Sequence, residues 1–505
     1  MVDVNKIILK LKRAIDENSN DAMRYNDLGN VYYQFKHYEE AITAYKQAIK
    51  LNPNYAGSYH NLGLVYDSLR CFEESVTAYN KAIELDSKDV EAYYNLGIAY
   101  DNLDRYEESI IAYNHVIQLN PNNAVAYNNL GIVYDQLKRH EDAITAYKQA
   151  ININPNYADA YYNLGISHCH LEQCEDAIIS FRQAIKLDHN YASAYYNLGL
   201  VYCKLERYKE AVVACKQAVK LDPNHAKAHY RLGRSYCNLK RDQEAIAAYK
   251  QAVKLNSNFT EAYFHLGESY GNLECYGESI TAFKQAIKLD PNFADAYYGL
   301  GMIYLFNNDE KSALKSYETL KNLDQDLAQK LYDIISEIEQ IEEEITTCKQ
   351  AIMLDPSNDG LYNNLGLAYG RYGRYEDAII VYKQAININP DYADAYYNLG
   401  ISHYKLEQYE EAIISFKQTI KLDNNFSSAY NFLGASCYKL EHYEEAITAF
   451  KQVIKLNPND AEACYNLGIS YLFNNDDKSA LKSYKSLKNI DLDLAQKLYN
   501  LIHKQ

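Results

Sequence analysis

The sequence predicts an all-α fold, a solenoid of stacked helix–turn–helix hairpins. Three observations predict it. Leu-Gly recurs with its Gly at positions 29, 63, 97, 131, 165, 199, 233, 267 and 301, then at 366, 400, 434 and 468, and each step within a run is 34 residues. Inside each period apolar residues fall at i, i+3, i+4 and i+7 twice over, with a short polar stretch such as "KLEQY" between the two sets. The composition is that of one repeated theme: 53 Tyr, no Trp, and only 8 Pro and 20 Gly in 505 residues. A hairpin of this size cannot bury its own apolar face, so neighbours must stack.

With the recurrent Gly set as the eighth place, the other places follow. The fourth is Tyr in nearly every copy, as at Tyr25, Tyr59, Tyr93 and Tyr127. The twentieth is Ala or Ser, and the twenty-fourth is Tyr or Phe. Gly and Ala remove bulk where the two helices would cross, and the large side chains fill the flanks. An Asn-Pro step closes many copies, because the residue before Pro avoids the helical region. Most of the Tyr excess is therefore expected in the core.

The elements run in order as follows. Residues 1–21 align with the second helix of a repeat and predict an N-terminal half-repeat cap. Residues 22–324 form a first array of nine repeats, the last degenerate. Residues 325–358 form a degenerate junction repeat. There Tyr332 stands where Gly belongs and Glu344 where Ala belongs, and the step from Gly301 to Gly366 is 65 residues. A looser helix pair that still turns is expected at this join, one long helix being the alternative, and in either case with a change of direction or flexing near it. Residues 359–494 form a second array, and 495–505 a capping helix. The second array reads as a duplicate of part of the first, since 127–183 closely match 362–418.

The 34-residue period with these residue types resembles the tetratricopeptide repeat (TPR), with Tyr in place of that family's frequent Trp. The resemblance covers essentially the whole chain. It implies a right-handed superhelical solenoid in which the first helix of each repeat lines a concave groove. It also implies that the second, fifth, sixth, ninth, twelfth and thirteenth places point into that groove.

The sixth place carries Asn61, Asn95, Asn129, Asn163, Asn197, Asn364, Asn398 and Asn466. This column resembles the asparagine ladder of O-GlcNAc transferases, which implies peptide-backbone binding by a group that both donates and accepts. The same column also reads as Asn bonding within its own array. Lys227, Arg231 and Arg234 occupy the second, sixth and ninth places of one repeat. Together with Asn197 they resemble part of the clamp with which co-chaperone repeats grip acidic tails, although Tyr162 and Ile166 stand where that clamp needs Lys and Asn. An acidic or phosphorylated segment is the implied ligand. The alternative is that the three cations balance Asp159, Glu261 and Glu268. Asp67, Glu91, Asp101, Asp135 and Asp159 make an acidic zone suited to a basic peptide. Leu305 with Phe306, echoed by Leu472 with Phe473, is expected to pack against the cap helix that follows, an apolar pocket being the alternative.

"SHCHLEQC" brings His168, Cys169, His170 and Cys174 together, but His168 falls at a buried place, so no metal is expected. No catalytic motif is present, and the repeats leave no room for a catalytic domain. No enzyme activity and no cofactor are expected. The net charge of −16 argues against nucleic acid or an anionic membrane as partner. No run of about 18 apolar residues exists to span a membrane, and no secretory signal is evident, so a cytoplasmic protein is expected. The function expected is a protein–protein interaction scaffold that holds extended peptides in the groove. A self-associating scaffold is the alternative, and an accessory subunit of an enzyme is a more distant one.

Overall fold

The computed structural model describes residues 4–503. It contains 29 α-helices and no strand among the described residues. Within each of two compact units, helices pair and stack in chain order, as the period requires. The units divide between Asn307 and Asn308.

One repeat illustrates how the residues build the hairpin. The first helix, Ala158–His170, ends on Leu171. The next residue, Glu172, takes φ 60°, and the amide of Gln173 donates to the carbonyl of His168 at 2.9 Å. This is the left-handed C-terminal cap of a helix, and it reverses the chain in three residues. The second helix, Cys174–Leu187, stops at Asp188, whose carboxylate accepts from the amide of Asn190 at 2.9 Å. The residue after Asp188 is His189, not proline. The recurrent stop signal is therefore the Asn or Asp itself, which folds the backbone into a local turn. Proline only reinforces it.

The two helices meet through a small-for-large exchange. A Cβ on Gly165 would lie 2.6 Å from the Phe181 ring, which is fully buried along with Ala177 and Ala184. The same fit recurs at Gly63 with Tyr79 and at Gly131 with Tyr147. The aromatic at the twenty-fourth place is thus the central core residue of most repeats, and Gly at the eighth place is the recess it fills; in one repeat Cys215 fills the recess at Gly199 instead.

At the chain's ends, the helix Val4–Glu17 buries Ile15 against Leu28 and Tyr32. Asp21 then caps the helix Ala22–Gln34 by accepting from the amides of Met23 and Arg24. At the other end, the helix Leu492–Ile502 buries Ala495 and Leu498 beside Cys464 and Leu487.

The join differs from expectation. Gln325–Leu354 is one uninterrupted helix of 30 residues, with no turn inside it. Ala328, Leu331, Ile335, Ile341 and Ile345 are buried as one continuous stripe. Glu339 stands at the fifteenth place, where twelve other positions of the chain hold a non-glycine residue with positive φ, and it remains helical. Tyr332 and Glu344 explain this: with large side chains at both crossing points, a hairpin cannot close. Tyr332 stacks instead on Tyr317 of the preceding helix, ring centres 5.1 Å apart.

Phe306 and Phe473 also depart from expectation. They lean back on the preceding repeat. Phe306 stacks over Tyr276 and Phe473 over Tyr443, while both remain largely exposed. Among the described residues, no helix is long and apolar enough to cross a membrane.

Candidate functional site

The sixth-place asparagines lie on successive first helices, and their amide nitrogens reach back one repeat. Asn163 donates to Asn128 Oδ1 at 3.1 Å, Asn197 to the Tyr162 hydroxyl at 3.0 Å, and Asn398 to Asn363 Oδ1 at 3.0 Å. Asn129 donates to the Tyr94 hydroxyl at 3.1 Å. Asn61 donates to both Asn26 and Asn30, at 3.1 and 3.0 Å. In each rung the acceptor is the fifth-place residue of the preceding repeat, joined at Asn61 by the ninth-place Asn30. Asn95 and Asn466 are half-buried and Asn364 is exposed, and none of these three makes a side-chain hydrogen bond among the described residues. The reading in which Asn bonds within its own array therefore describes the Nδ2 groups of five rungs. The Oδ1 atoms of Asn61, Asn163, Asn197 and Asn398 accept from no described residue.

The rungs were visible in the sequence as a column, but their partners were not. The fifth place alternates Asn, Tyr and other residues, so only the geometry reveals it as the acceptor.

Arg231 and Arg234 come together with Asn197 in one cavity of about 550 Å³. Its remaining walls include Ile166, Leu200 and Lys204. These residues occupy the sixth, ninth and thirteenth places of three consecutive repeats. The three cations of the patch differ in their surroundings. Arg234 donates to His265 Nε2 at 2.8 Å, and the other ring nitrogen of His265 meets Glu268 at 2.6 Å. Glu268 is thereby linked to Arg234 through the imidazole, as charge balancing predicts. Arg231 pairs with no carboxylate among the described residues; its guanidinium lies 5.5 Å from the Tyr230 ring centre. Lys227 is exposed, forms no ion pair among the described residues, and is not part of the cavity wall. Asp159, one acid suggested to balance the cations, accepts instead from the Tyr191 hydroxyl at 2.9 Å. Lys204 is matched by Glu172 at 3.0 Å.

The acidic zone is partly occupied by its own repeats. Asp67 accepts from the Tyr79 hydroxyl at 2.6 Å. Asp135 accepts from Tyr147 at 3.0 Å and Ser167 at 2.6 Å, and it also meets His140. Burial holds the Asp67 and Asp101 carboxyls above the usual carboxylate range.

At "SHCHLEQC", His168 is buried and its Nδ1 lies 2.6 Å from Gln173 Oε1. His403 makes the same contact with Gln408 at 2.7 Å. Burial pushes the neighbouring Cys169 thiol up to about 11, away from the thiolate that metal binding needs.

Comparison with known proteins places these repeats in context. A family model described as the cilia and flagella-associated protein 70 C-terminal domain matches residues 73–296. Models described as TPR repeat match 29–69, 371–407 and 434–475, and tetratricopeptide-repeat models match 56–89, 282–315 and 393–426. No match is found among curated proteins. Among solved structures, YrrB, described as a TPR protein with an unusual peptide-binding site, is 29% identical; the match covers 37% of this chain and 98% of YrrB, with a TM-score of 0.35. A MamA protein is 31% identical over 33% of this chain and 97% of its own, with a TM-score of 0.32. A chain of the APC/C hetero-tetramer Cut9–Hcn1 is 14% identical over 96% of this chain and 98% of its own, with a TM-score of 0.35.

Proposed function

The chain belongs to the tetratricopeptide-repeat family, and from that premise we propose that it binds an acidic or phosphorylated peptide segment at Arg231. Repeats of this family build protein–protein interaction scaffolds, and this chain is such a scaffold. What it holds, and where, is the proposal.

The observation that carries it is the Arg231 guanidinium, unmatched by any carboxylate among the described residues, in a cavity of about 550 Å³. An unpaired Arg beside a second Arg suits a carboxylate or a phosphate, because its planar fork donates two parallel hydrogen bonds. Asn197 sets the second requirement. Its Nδ2 is engaged by Tyr162, so it offers an incoming peptide its carbonyl oxygen, an acceptor for a backbone N–H. The free Oδ1 atoms of Asn163 and Asn61 extend that acceptor row along the same face. The ladder's part is thus one-sided: the nitrogens bind neighbouring repeats, and the oxygens are left for the ligand. Many weak contacts of this kind add up along an array.

The test is Arg231→Glu in the full chain. Affinity for a phosphoserine peptide and for an oligo-glutamate peptide is expected to fall about tenfold or more, equivalent to about 1.4 kcal/mol. The far-ultraviolet circular dichroism and thermal melt should stay as in the parent, since Arg231 is only half-buried and forms no ion pair. Binding of the parent should weaken steeply with salt. Equal affinity of parent and variant for both peptides would end this reading.

A further inference from the structure

The junction helix leaves a gap in the second unit that no other repeat has. In a complete repeat, the second helix is covered by the first helix of its own hairpin. Ala177, Phe181 and Ala184, at the twentieth, twenty-fourth and twenty-seventh places, are fully buried for that reason. In the junction repeat the same places are Glu344, Cys348 and Ala351. The helix that should cover them instead runs on in line, as the first half of Gln325–Leu354. Glu344, Cys348 and Ala351 are only half-buried. Leu354 is 89% exposed, against 39% and 38% for its counterparts Leu119 and Leu255.

The gap is a cavity of about 650 Å³ between this helix and Asp359–Arg371. Gln340, Glu343, Glu344 and Cys348 form one wall, and Leu367 and Arg371 the other. Asn364 opens into it as well, and it is the ladder residue left exposed because no complete first helix precedes it.

We infer that this gap docks an amphipathic helix with a basic flank, supplied by another protein, in the position of the missing first helix. A helix fits better than an extended strand. Both walls are helices whose backbone groups are already paired, so a strand would find no ladder to join. The floor of Cys348, Leu367 and Ala368 accepts one apolar stripe.

The charge of the rim selects a basic partner. Glu337, Glu339, Glu342, Glu343 and Glu344 crowd two turns of the helix. Arg371 answers one of them, Glu344, at 2.7 Å. Glu343 pairs with no cation among the described residues. Across the same helix, burial and the neighbouring Glu339 hold the Glu310 carboxyl above its usual range, so added positive charge nearby would relieve real crowding. A second copy of this chain is a poorer occupant. Its basic N-terminal helix, with Lys10, Lys12 and Arg13, already buries its apolar residues Leu11 and Ile15 on the first repeat.

The experiment uses the full chain and a synthetic Leu/Lys amphipathic helix, with a Leu/Glu helix of the same pattern as its control. The Leu/Lys peptide should bind and the Leu/Glu peptide should not. Cys348→Tyr, which fills the gap with the ring other repeats carry, should weaken binding about tenfold or more. Glu343→Lys should do the same, whereas Glu107→Lys, an equal charge change on an exposed site elsewhere, should leave binding as it was. Bound peptide should also protect Cys348 from alkylation, read by mass spectrometry. Failure of the Leu/Lys helix to bind, equal binding of both peptides, or indifference to Cys348→Tyr would overturn the inference. So would a dimer in the absence of peptide that Cys348→Tyr abolishes, because the occupant would then be a second copy.

Discussion

At the scale of single residues, the rule is that Asp at the twelfth place goes with Tyr at the core position. Tyr79 and Tyr147 sit opposite Asp67 and Asp135, which accept from their hydroxyls. Phe181, Phe283, Phe416 and Phe450 sit in repeats whose twelfth place is Cys, Gly or Tyr. Tyr45 and Tyr382, with Tyr33 and Gly370 at the twelfth place, lie outside that pairing, and so does Tyr249. Its twelfth-place neighbour is Cys237, and its hydroxyl is buried with no hydrogen-bond partner among the described residues. A buried unpaired hydroxyl is unfavourable, and removing it should cost nothing. Tyr249→Phe is therefore expected to leave stability unchanged or raise it by about 1 kcal/mol, while Tyr147→Phe should lower it by about 1–2 kcal/mol. Urea denaturation of the two variants beside the parent checks the contrast, and a loss at Tyr249→Phe equal to that at Tyr147→Phe would refute the rule. The sequence displays the Tyr–Asp pairing only once the two places are compared within a repeat. It conceals the direction of the asparagine ladder, because an amide side chain reads alike whether it faces a ligand or a neighbour. Arg231 is the opposite case: its departure from an otherwise uniform column was plain in the letters, and its lack of a carboxylate partner needed coordinates.

At the scale of the element, the helices were readable because their period is carried by residues that must be buried. The turns were not. Each hairpin turns on a residue with φ near 60°, and among the described positions of this kind only Gly373 is glycine. The others are Lys, Arg, Asp, Asn and Glu, so composition gives no sign of a left-handed conformation. A side chain there costs about 1–2 kcal/mol relative to the right-handed region. Glu407, with φ 60° and no ion pair among the described residues, is a clean site to relieve it. Glu407→Gly should raise stability by about 0.5–1 kcal/mol, the gain being limited by the greater freedom of Gly in the unfolded chain. A thermal melt no higher than that of the parent would argue against stored strain at the turn. The junction helix is the element on which the sequence misleads. Its apolar spacing continues the pattern of a second helix, and only the loss of both small residues, at Tyr332 and Glu344, warns that the hairpin cannot close.

At the scale of the whole molecule, stability in a repeat array is a sum of terms within repeats and terms between neighbours. The two kinds leave different marks on unfolding. Weakening a repeat internally lowers the midpoint of denaturation. Weakening the bond between neighbours also lets the array unfold in pieces, which reduces the steepness of the transition. The ladder is a set of terms of the second kind, since Asn163 joins its repeat to Asn128 of the one before, and Asn398 does the same with Asn363 in the other unit. Asn163→Ala removes the donor and leaves the Asn128 oxygen without it, at a cost of about 1 kcal/mol. The expected signature is a lower midpoint together with a shallower urea slope, whereas Tyr147→Phe, whose lost bond to Asp135 lies within one repeat, should lower the midpoint at unchanged slope. Combining Asn163→Ala with Asn398→Ala should add nearly independently, because the two rungs share no residue and lie in different compact units. A slope unaffected by either ladder variant would mean that apolar stacking alone couples the repeats. The asparagine nitrogens would then contribute nothing to cooperativity, and the column would have to be explained by its oxygens, on the ligand side.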